Sequence, residues 1–190
     1  MRENILASES PRRKMLLNQI GFQFSVIPSH IVEYNNSNIP PEALTESLAR
    51  EKALKIAQTY NDKIVIGADT IVFFGNKIIG KPKDKNESFN ILKSLSGKTH
   101  EVITGVSILK LNQKIDCTFN ERTYVSFLPL SDKDILSYVN KYQPYDKAGS
   151  YGIQDGFSIH INRINGCYYN VMGFPLSSFY KNYCTLFQNT

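Results

Sequence analysis

The feature that most constrains this chain is the apolar run of residues 63–74, KIVIGADTIVFF. Its length and its aliphatic and aromatic content predict a buried strand over Ile64–Phe74. Asp69 interrupts the run, although aspartate is disfavoured in strands and a buried carboxylate without a partner is costly. Two interpretations of Asp69 are open: hydrogen bonds to nearby backbone N–H groups at a strand break, or a metal-binding or catalytic carboxylate.

Strand-like and helix-like patterns are mixed along the rest of the chain. Further strands are predicted at Ile5–Ala7, Phe22–Ile27, Lys77–Ile79, Glu101–Leu111, Lys114–Leu128 and Ser158–Ile164. Helices are predicted at Ser10–Ile20, Pro41–Tyr60, Glu87–Leu95, Asp132–Lys141 and Leu176–Phe187. Because strands and helices do not alternate strictly, the sequence predicts an α/β fold on a mixed, twisted sheet. The length suits one domain over residues 1–190.

The composition favours certain classes of binding partner and one cellular compartment for the protein. The net charge of +5 favours phosphate-bearing partners, either a nucleic acid or a small polyphosphate. Three scattered cysteines without a Cys-x-x-Cys motif argue against a disulfide framework or a zinc site, and they favour a reducing cytoplasm. No secretory signal is evident, and the apolar runs are far shorter than the roughly 20 residues that a membrane-spanning helix needs.

The first predicted helix begins with an unusual cluster of positive charge. Ser10 suits the N-cap and Pro11 the first helical position. Arg12 and Arg13 follow, where acidic residues would be expected, because cations oppose the helix dipole at this end. An anion bound at the exposed N–H groups would reverse that penalty, and a basic surface turn is the alternative.

A second anomaly is Lys52, which lies on the apolar side of the predicted 41–60 helix between Leu48 and Ile56. A lysine in this position must snorkel, form an ion pair or point into a polar cavity. Arg50 lies near the border of the same side and could serve that cavity or the solvent. Lys81, in the turn after a strand, and Glu33, after a strand-like segment, are weaker candidates, because each could simply be solvated.

Several common catalytic motifs are absent. The sequence contains no P-loop, no Rossmann fingerprint and no Gly-x-Ser-x-Gly elbow. Its three histidines are widely separated and lack metal-ligand spacing.

Taken together, short segments along nearly the whole chain resemble the Maf family of nucleoside triphosphate pyrophosphatases. Each segment alone is weak evidence, but their order along the chain is specific. They are residues 6–13 (LASESPRR), Glu33, residues 48–53 (LAREKA), 67–70 (GADT), 80–82 (GKP), 95–100 (LSGKTH), 146–154 (DKAGSYGIQ) and 170–176 (NVMGFPL).

The resemblance implies an inosine-triphosphatase-like (Maf/Ham1) fold, in which two lobes flank a cleft, and a cytoplasmic, metal-dependent hydrolase. The branch that it matches hydrolyses dTTP and UTP to the monophosphate and pyrophosphate. Arg13, Thr70 and Gln154 occupy the positions that set specificity in that branch. Asp155 departs from the usual glycine, and its negative charge could disturb the base pocket or its loop. Phe174 replaces the usual leucine, and we expect this position to lie within the core.

The resemblance also assigns roles to individual residues. Asp69 would accept the proton of the attacking water, and Lys52 and Lys81 would supply positive charge along the triphosphate. Ser8, Ser10, Arg12 and Arg13 would hold phosphates, and Thr70 and Gln154 would complete the substrate site. Glu33 and Asp69 would bind Mg²⁺ or Mn²⁺, hard ions that prefer oxygen ligands.

Three other functions remain open at this stage. A nucleic-acid-binding module would show affinity that falls steeply with salt and no nucleotide turnover. A regulatory interaction protein is a second alternative, because the family has been connected with septum formation. A third is a metal-dependent phosphohydrolase acting on another nucleotide. With a nucleoside triphosphate as substrate, we expect no membrane partner and no stable nucleic-acid complex, and the family allows for a homodimer.

Overall fold

The computed structural model of the protein describes residues 3–32 and 39–187. Within these residues, seven strands form one mixed sheet in the order β2-β1-β3-β5-β6-β7, with β4 paired to β3. The strands are β1 (Asn4–Leu6), β2 (Phe24–Val26), β3 (Ile64–Phe74), β4 (Lys77–Ile79), β5 (Thr99–Lys110), β6 (Ile115–Phe127) and β7 (Ile161–Asn165). The α-helices are α1 (Pro11–Gln19), α2 (Pro41–Ala57), α3 (Lys85–Leu95), α4 (Asp132–Tyr142), α5 (Tyr168–Val171) and α6 (Leu176–Phe187).

Strand β3 changes partners along its length, which creates an opening in the sheet. Its first residues, 64–66, pair in parallel with β1, and residues 72–74 pair antiparallel with β4. Strand β5 pairs with β3 along the other side. Between β1 and β4, therefore, the edge of β3 at residues 67–71 is not covered by a described strand. The chain leaves β1 and enters α1 next to this opening.

The two faces of the sheet carry separate hydrophobic clusters. Side chains alternate along β3, so Val65 packs in the cluster beneath α2 while Ile66 belongs to the larger cluster on the opposite face. Gly67 and Gly105 lie directly under α2, where a Cβ atom would come within 2.1 Å of Ala49 O and 2.3 Å of Thr45 O, respectively. At these two positions the backbone of α2 therefore lies directly against β3 and β5.

The structure confirms the mixed α/β sheet and most of the predicted elements. Ile64–Phe74, Lys77–Ile79 and Leu176–Phe187 have the predicted bounds, and Ser10 caps α1 with Pro11 in the first turn. The other predicted elements are present with bounds shifted by one to three residues, except at 158–164. Phe174 is fully buried, as expected of a core residue.

One predicted strand is partly wrong. Residues Gly156–His160 form a 3-10 helix, and β7 begins at Ile161 rather than at Ser158. The physical reason is a local cap: the Asp155 carboxylate accepts a hydrogen bond from the backbone N–H of Phe157 at 3.0 Å. The short helix α5 was not predicted at all. No helix within residues 3–32 or 39–187 is both long and apolar enough to cross a membrane.

Candidate active site

A cleft of about 360 Å³ opens beside residues 67–71 of β3, within the size range of small-molecule sites. It lies past the carboxyl end of β1, where open α/β sheets commonly bind ligands. Its walls come from the β1–α1 connection, α2, β3, the turn after β4, residues 146–154 and residues 171–173. Among the described residues that line it, five are Lys or Arg and three are Asp or Glu. The excess of positive charge suits an anionic ligand.

At the base of the cleft, Lys52 of α2 forms an ion pair with Asp69 of β3. The distance from Lys52 Nζ to Asp69 Oδ1 is 2.6 Å, and the two residues are only 7% and 6% exposed. Asp69 lies on the face of β3 that α2 covers, so the helix and the strand bring the two buried charges together. Each charge offsets the cost of burying the other. Both residues line the cleft.

This pair shows which of the options left open by the sequence Lys52 adopts, and it gives Asp69 a cationic partner. Lys52 forms an ion pair at a polar cavity, and Asp69 Oδ1 accepts from that ammonium group. Arg50, on the same helix, does not line the cleft. Its guanidinium instead pairs with the partly exposed carboxylate of Asp116 at 2.6 Å, between Nη2 and Oδ2.

Arg13 connects three segments that line the cleft. Its guanidinium donates to Ser8 Oγ at 3.1 Å, to Thr70 Oγ1 at 3.0 Å and to the carbonyl oxygen of Gly173 at 2.9 Å. Thr70 Oγ1 also lies 2.9 Å from Thr104 Oγ1. Arg13 is thus folded inward from the first turn of α1, which corrects the picture of a basic surface turn for this residue.

The N-terminus of α1 is organised by the two serines that precede it. Ser10 Oγ accepts from the backbone N–H of Arg13 at 3.4 Å, and Ser10 N–H donates to Ser8 Oγ at 3.2 Å. Both serines line the cleft together with Pro11. The positive end of the α1 dipole therefore faces the cavity.

At the mouth of the cleft, the Asp146 carboxylate lies between two cations. Arg12 Nη1 is 2.6 Å from Asp146 Oδ2, and Lys147 Nζ is 2.7 Å from Asp146 Oδ1. Partial burial by itself would raise the pKa of Asp146, but hydrogen bonds from Lys147 and Arg12 outweigh it and lower that pKa. Asp146 is therefore a carboxylate at neutral pH that holds both cations at the rim.

Lys81 and Gln154 are exposed residues that line the same cleft. The turn of Lys81 is tied to the 146–154 segment, since the backbone N–H of Gly149 donates to Gly80 O at 3.2 Å. The structure thus brings together nine of the ten residues that the sequence assigned to the site: Ser8, Ser10, Arg12, Arg13, Lys52, Asp69, Thr70, Lys81 and Gln154. The tenth, Glu33, lies outside the described residues.

The 146–154 segment also carries Tyr151, which lines the cleft and whose ring packs against those of His100 and Phe127. Its hydroxyl group is hydrogen bonded to His100 Nε2 at 2.8 Å. Burial lowers the pKa of His100 to about 4, so this imidazole is neutral at physiological pH.

The cleft residues that the sequence did not single out individually include Asp146, Lys147, Tyr151 and Gly173. Asp146, Lys147 and Tyr151 belong to the 146–154 motif and Gly173 to the 170–176 motif, so the motifs were the signal that could have found them. What the sequence does not reveal is contact between distant residues, such as Arg12 and Asp146, which are separated by 134 positions.

Among the described residues, Asp69 could bind a divalent ion only if water or substrate oxygens supplied further ligands. The described residues contain no cluster of three or more His, Cys, Asp or Glu side chains arranged to hold a metal. Mg²⁺, however, usually keeps several waters and takes one or two protein carboxylates plus phosphate oxygens of the substrate. Asp69, a buried carboxylate in a cleft with excess positive charge, fits an ion that arrives with a polyphosphate.

Comparisons with known proteins identify the family to which the chain belongs. The model of the family described as Maf-like protein matches residues 3–185. Proteins named dTTP/UTP pyrophosphatase are similar to this chain in Bacillus anthracis (48% identity over 177 residues, covering 93% of this chain and 92% of that protein) and in Carboxydothermus hydrogenoformans (44% over 176 residues, covering 93% and 94%).

Among solved structures, a HAM1 protein from Coxiella burnetii aligns over 67% of this chain and 73% of its own, with 14% identity and a TM-score of 0.41. That likeness is too slight to bear on fold or function. The match to the family model covers nearly the whole chain, and the relatives are far above 30% identical. The chain therefore belongs to the Maf family.

Proposed function

We propose that this protein is a nucleoside triphosphate pyrophosphatase that hydrolyses dTTP and UTP to the nucleoside monophosphate and pyrophosphate. The observation that carries the proposal is the buried Lys52–Asp69 pair at the base of a cleft with excess positive charge. The names of the similar proteins from Bacillus anthracis and Carboxydothermus hydrogenoformans support the choice of substrate.

The triphosphate would lie along the cationic wall of the cleft. Its negative charges require positive groups where they rest and where charge develops during reaction. Arg12, Arg13 and the N-terminus of α1, with the hydroxyl groups of Ser8 and Ser10, would bind the phosphates.

Lys52 and Lys81, which also line the cleft, would add positive charge along the chain of phosphates. Lys52 is held close to Asp69, whereas Lys81 is exposed and can follow the substrate. Lys52 would then act as a fixed cation near the reacting centre, and Lys81 would act as a more adaptable one.

The chemical step would be attack by water at the α-phosphorus. The water oxygen forms a bond to that phosphorus, and the bond from the phosphorus to the bridging α–β oxygen breaks, which releases pyrophosphate. Asp69 would accept the proton that the water loses. Because Lys52 occupies Oδ1, the second carboxylate oxygen of Asp69 is the one that would face the water or an ion.

We also propose that the reaction uses Mg²⁺ or Mn²⁺, with Asp69 and Glu33 as the protein ligands. When bound, the ion would supply charge that neutralises the phosphate oxygens. The support is the presence of a buried carboxylate among the cations that line the cleft.

Gln154 would recognise the base of the nucleotide through hydrogen bonds. A uracil or thymine edge offers an N–H donor beside a carbonyl acceptor, and a carboxamide can answer both. Cytosine carries an amino group in place of that carbonyl, so a buried mismatch would cost about 1–3 kcal/mol. The support is that Gln154 lines the cleft at the end of the 146–154 segment.

The reaction would take place in the cytoplasm. The support is that Cys117, Cys167 and Cys184 are not joined in disulfides, which suits a reducing compartment.

One panel of reactions tests the proposed activity. Purified protein is incubated with dTTP, UTP, CTP, ATP or GTP in the presence of Mg²⁺, Mn²⁺ or EDTA, and pyrophosphate is measured. We expect dTTP and UTP to react at least 10-fold faster than the other three, and EDTA to abolish turnover. No pyrophosphate from any nucleotide, together with salt-sensitive binding to long DNA, would instead support the nucleic-acid-binding alternative.

A paired substitution tests the role of Asp69. Asp69→Asn should leave the protein folded and lower the turnover of dTTP by at least 100-fold, because the proton acceptor is lost. Asp116→Asn is the matched control, since this carboxylate pairs with Arg50 away from the cleft. Pyrophosphate release by Asp69→Asn at the wild-type rate would refute the assignment.

A further inference from the structure

The Gln154 side chain is presented by a tight turn over residues 152–155. The backbone N–H of Asp155 donates to Gly152 O at 3.3 Å, which closes the turn. Gly152, Ile153 and Gln154 all line the cleft, whereas Asp155 does not. The orientation of Gln154 toward a ligand therefore depends on what holds the two ends of this turn.

One hydroxyl group holds both ends. Tyr138 of α4 accepts a hydrogen bond from the backbone N–H of Gly152 at 3.0 Å and donates to Asp155 Oδ2 at 3.1 Å. Asp155 Oδ1 accepts from the Phe157 N–H at 3.0 Å. A hydrogen bond to a carboxylate is roughly twice as strong as one between neutral groups. Tyr138 and Asp155 thus form a brace across the turn.

The packing around this brace leaves little freedom for movement. Tyr138 is only 5% exposed, and its ring contacts those of Tyr142 and Phe157 at centroid distances of 5.0 and 4.8 Å. The Asp155 carboxylate lies against Gly152, where a Cβ atom would come within 2.3 Å of Oδ2. The extra negative charge at position 155 is therefore directed into the brace, not into the cleft.

We propose that Tyr138 and Asp155 are positioning residues for base selection, acting through the 152–155 turn to hold the Gln154 amide in register with the pyrimidine edge. Neither residue lines the cleft, so neither is assigned contact with the substrate. This inference rests on the proposed function, and it assigns a purpose to the aspartate that replaces the glycine expected at position 155.

The test compares selectivity across variants of the full chain. Tyr138→Phe removes the hydroxyl but keeps the ring, and Asp155→Gly removes the carboxylate. For each, kcat and KM are measured with dTTP and with CTP. We expect KM for dTTP to rise about 10-fold while kcat changes less than 2-fold. The ratio of kcat/KM for dTTP over CTP should fall at least 5-fold. Asp155→Asn, which keeps an acceptor oxygen, should recover most of this ratio.

Tyr142→Phe serves as the matched control, because Tyr142 is on the same helix and stacks on Tyr138 but lies outside the brace. It should keep the wild-type selectivity. A preference for dTTP that Tyr138→Phe and Asp155→Gly both leave intact would overturn the inference. A parallel loss of kcat/KM for both nucleotides, accompanied by a lower melting temperature, would indicate a purely structural role and would also overturn it.

The outcomes separate this inference from the proposed function. Wild-type protein that hydrolyses neither dTTP nor UTP would overturn the proposed function, and the inference would fall with it. Wild-type protein that prefers dTTP, with unchanged preference in the variants, overturns the inference alone. If Tyr138→Phe does not fold, the three-way comparison of Asp155→Gly, Asp155→Asn and wild type decides.

Discussion

At the scale of single residues, the Lys52–Asp69 pair connects the anomalies of the sequence to the site. A lysine on an apolar helix side and an aspartate within an apolar strand are each costly alone. The sequence reveals both costs, but not that the 2.6 Å contact between these residues relieves them together. Their pairing depends on how α2 lies across β3, which local patterns do not specify.

Removal of one member of this pair should cost more stability than removal of both charges. Lys52→Met leaves the Asp69 carboxylate buried without its ammonium partner, so we expect unfolding free energy to fall by about 3–5 kcal/mol. In Lys52→Met/Asp69→Asn no uncompensated carboxylate remains, and part of the loss should be recovered. Urea denaturation measures the unfolding free energy of the single and the double variant. A double variant less stable than the single one would contradict this reading of the pair.

His100 gives the protein a pH-dependent stability. Its folded pKa is about 4 because of burial, whereas an unfolded histidine titrates near pH 6.5. The unfolded chain therefore binds a proton at this site in a range where the folded chain does not, and stability rises with pH through that range. Its Nδ1 atom has no hydrogen-bond partner within the described part of the chain, so protonation there would bury an unpaired charge.

Between pH 7.5 and pH 5, this group should lower the unfolding free energy by about 2 kcal/mol. Urea titrations at the two pH values measure the change for wild type and for His100→Gln. The wild type should show the full pH dependence, and His100→Gln should lose about 2 kcal/mol of it. Equal slopes in the two proteins would show that His100 is not the group responsible.

For secondary-structure elements, sequence patterns predict the bounds best where the residues that fix those bounds are neighbours in the sequence. The cap at Ser10 followed by Pro11 locates the start of α1, and the apolar runs at 64–74 and 77–79 locate β3 and β4. The segment 158–164 is different, since its alternating pattern suggests a strand throughout. Its first residues form a 3-10 helix instead, because Asp155 caps it and Phe157 packs among aromatic rings. Such tertiary contacts are not visible in a local window.

The close contact between α2 and the sheet should be sensitive to a single methyl group. In Gly67→Ala the new Cβ would meet the Ala49 carbonyl oxygen, so α2 must shift and carry Lys52 away from Asp69. We expect a loss of about 1–3 kcal/mol in unfolding free energy and at least a 10-fold lower turnover of dTTP. Gly80→Ala, where no atom lies within 4 Å of the added carbon, is the control for stability. A Gly67→Ala protein as stable and active as wild type would contradict the proposed packing constraint.

At the scale of the whole molecule, the cleft is assembled from segments spread over most of the chain. The order of the short motifs predicts the family and nine of the cleft residues. It does not predict the contacts that hold them, because Arg13 meets Gly173 across 160 positions and Arg12 meets Asp146 across 134. The opening between β1 and β4 along β3 is a property of the sheet topology, and it is what brings these segments to one cavity.

The proposed reaction requires that water attacks the α-phosphorus of a pyrimidine nucleoside triphosphate bound in this cleft. Hydrolysis of dTTP in water enriched in ¹⁸O, followed by mass spectrometry of both products, identifies the phosphorus that is attacked. We expect one ¹⁸O atom in dTMP and none in pyrophosphate. Label in pyrophosphate, or release of inorganic phosphate and dTDP in place of these products, would contradict it.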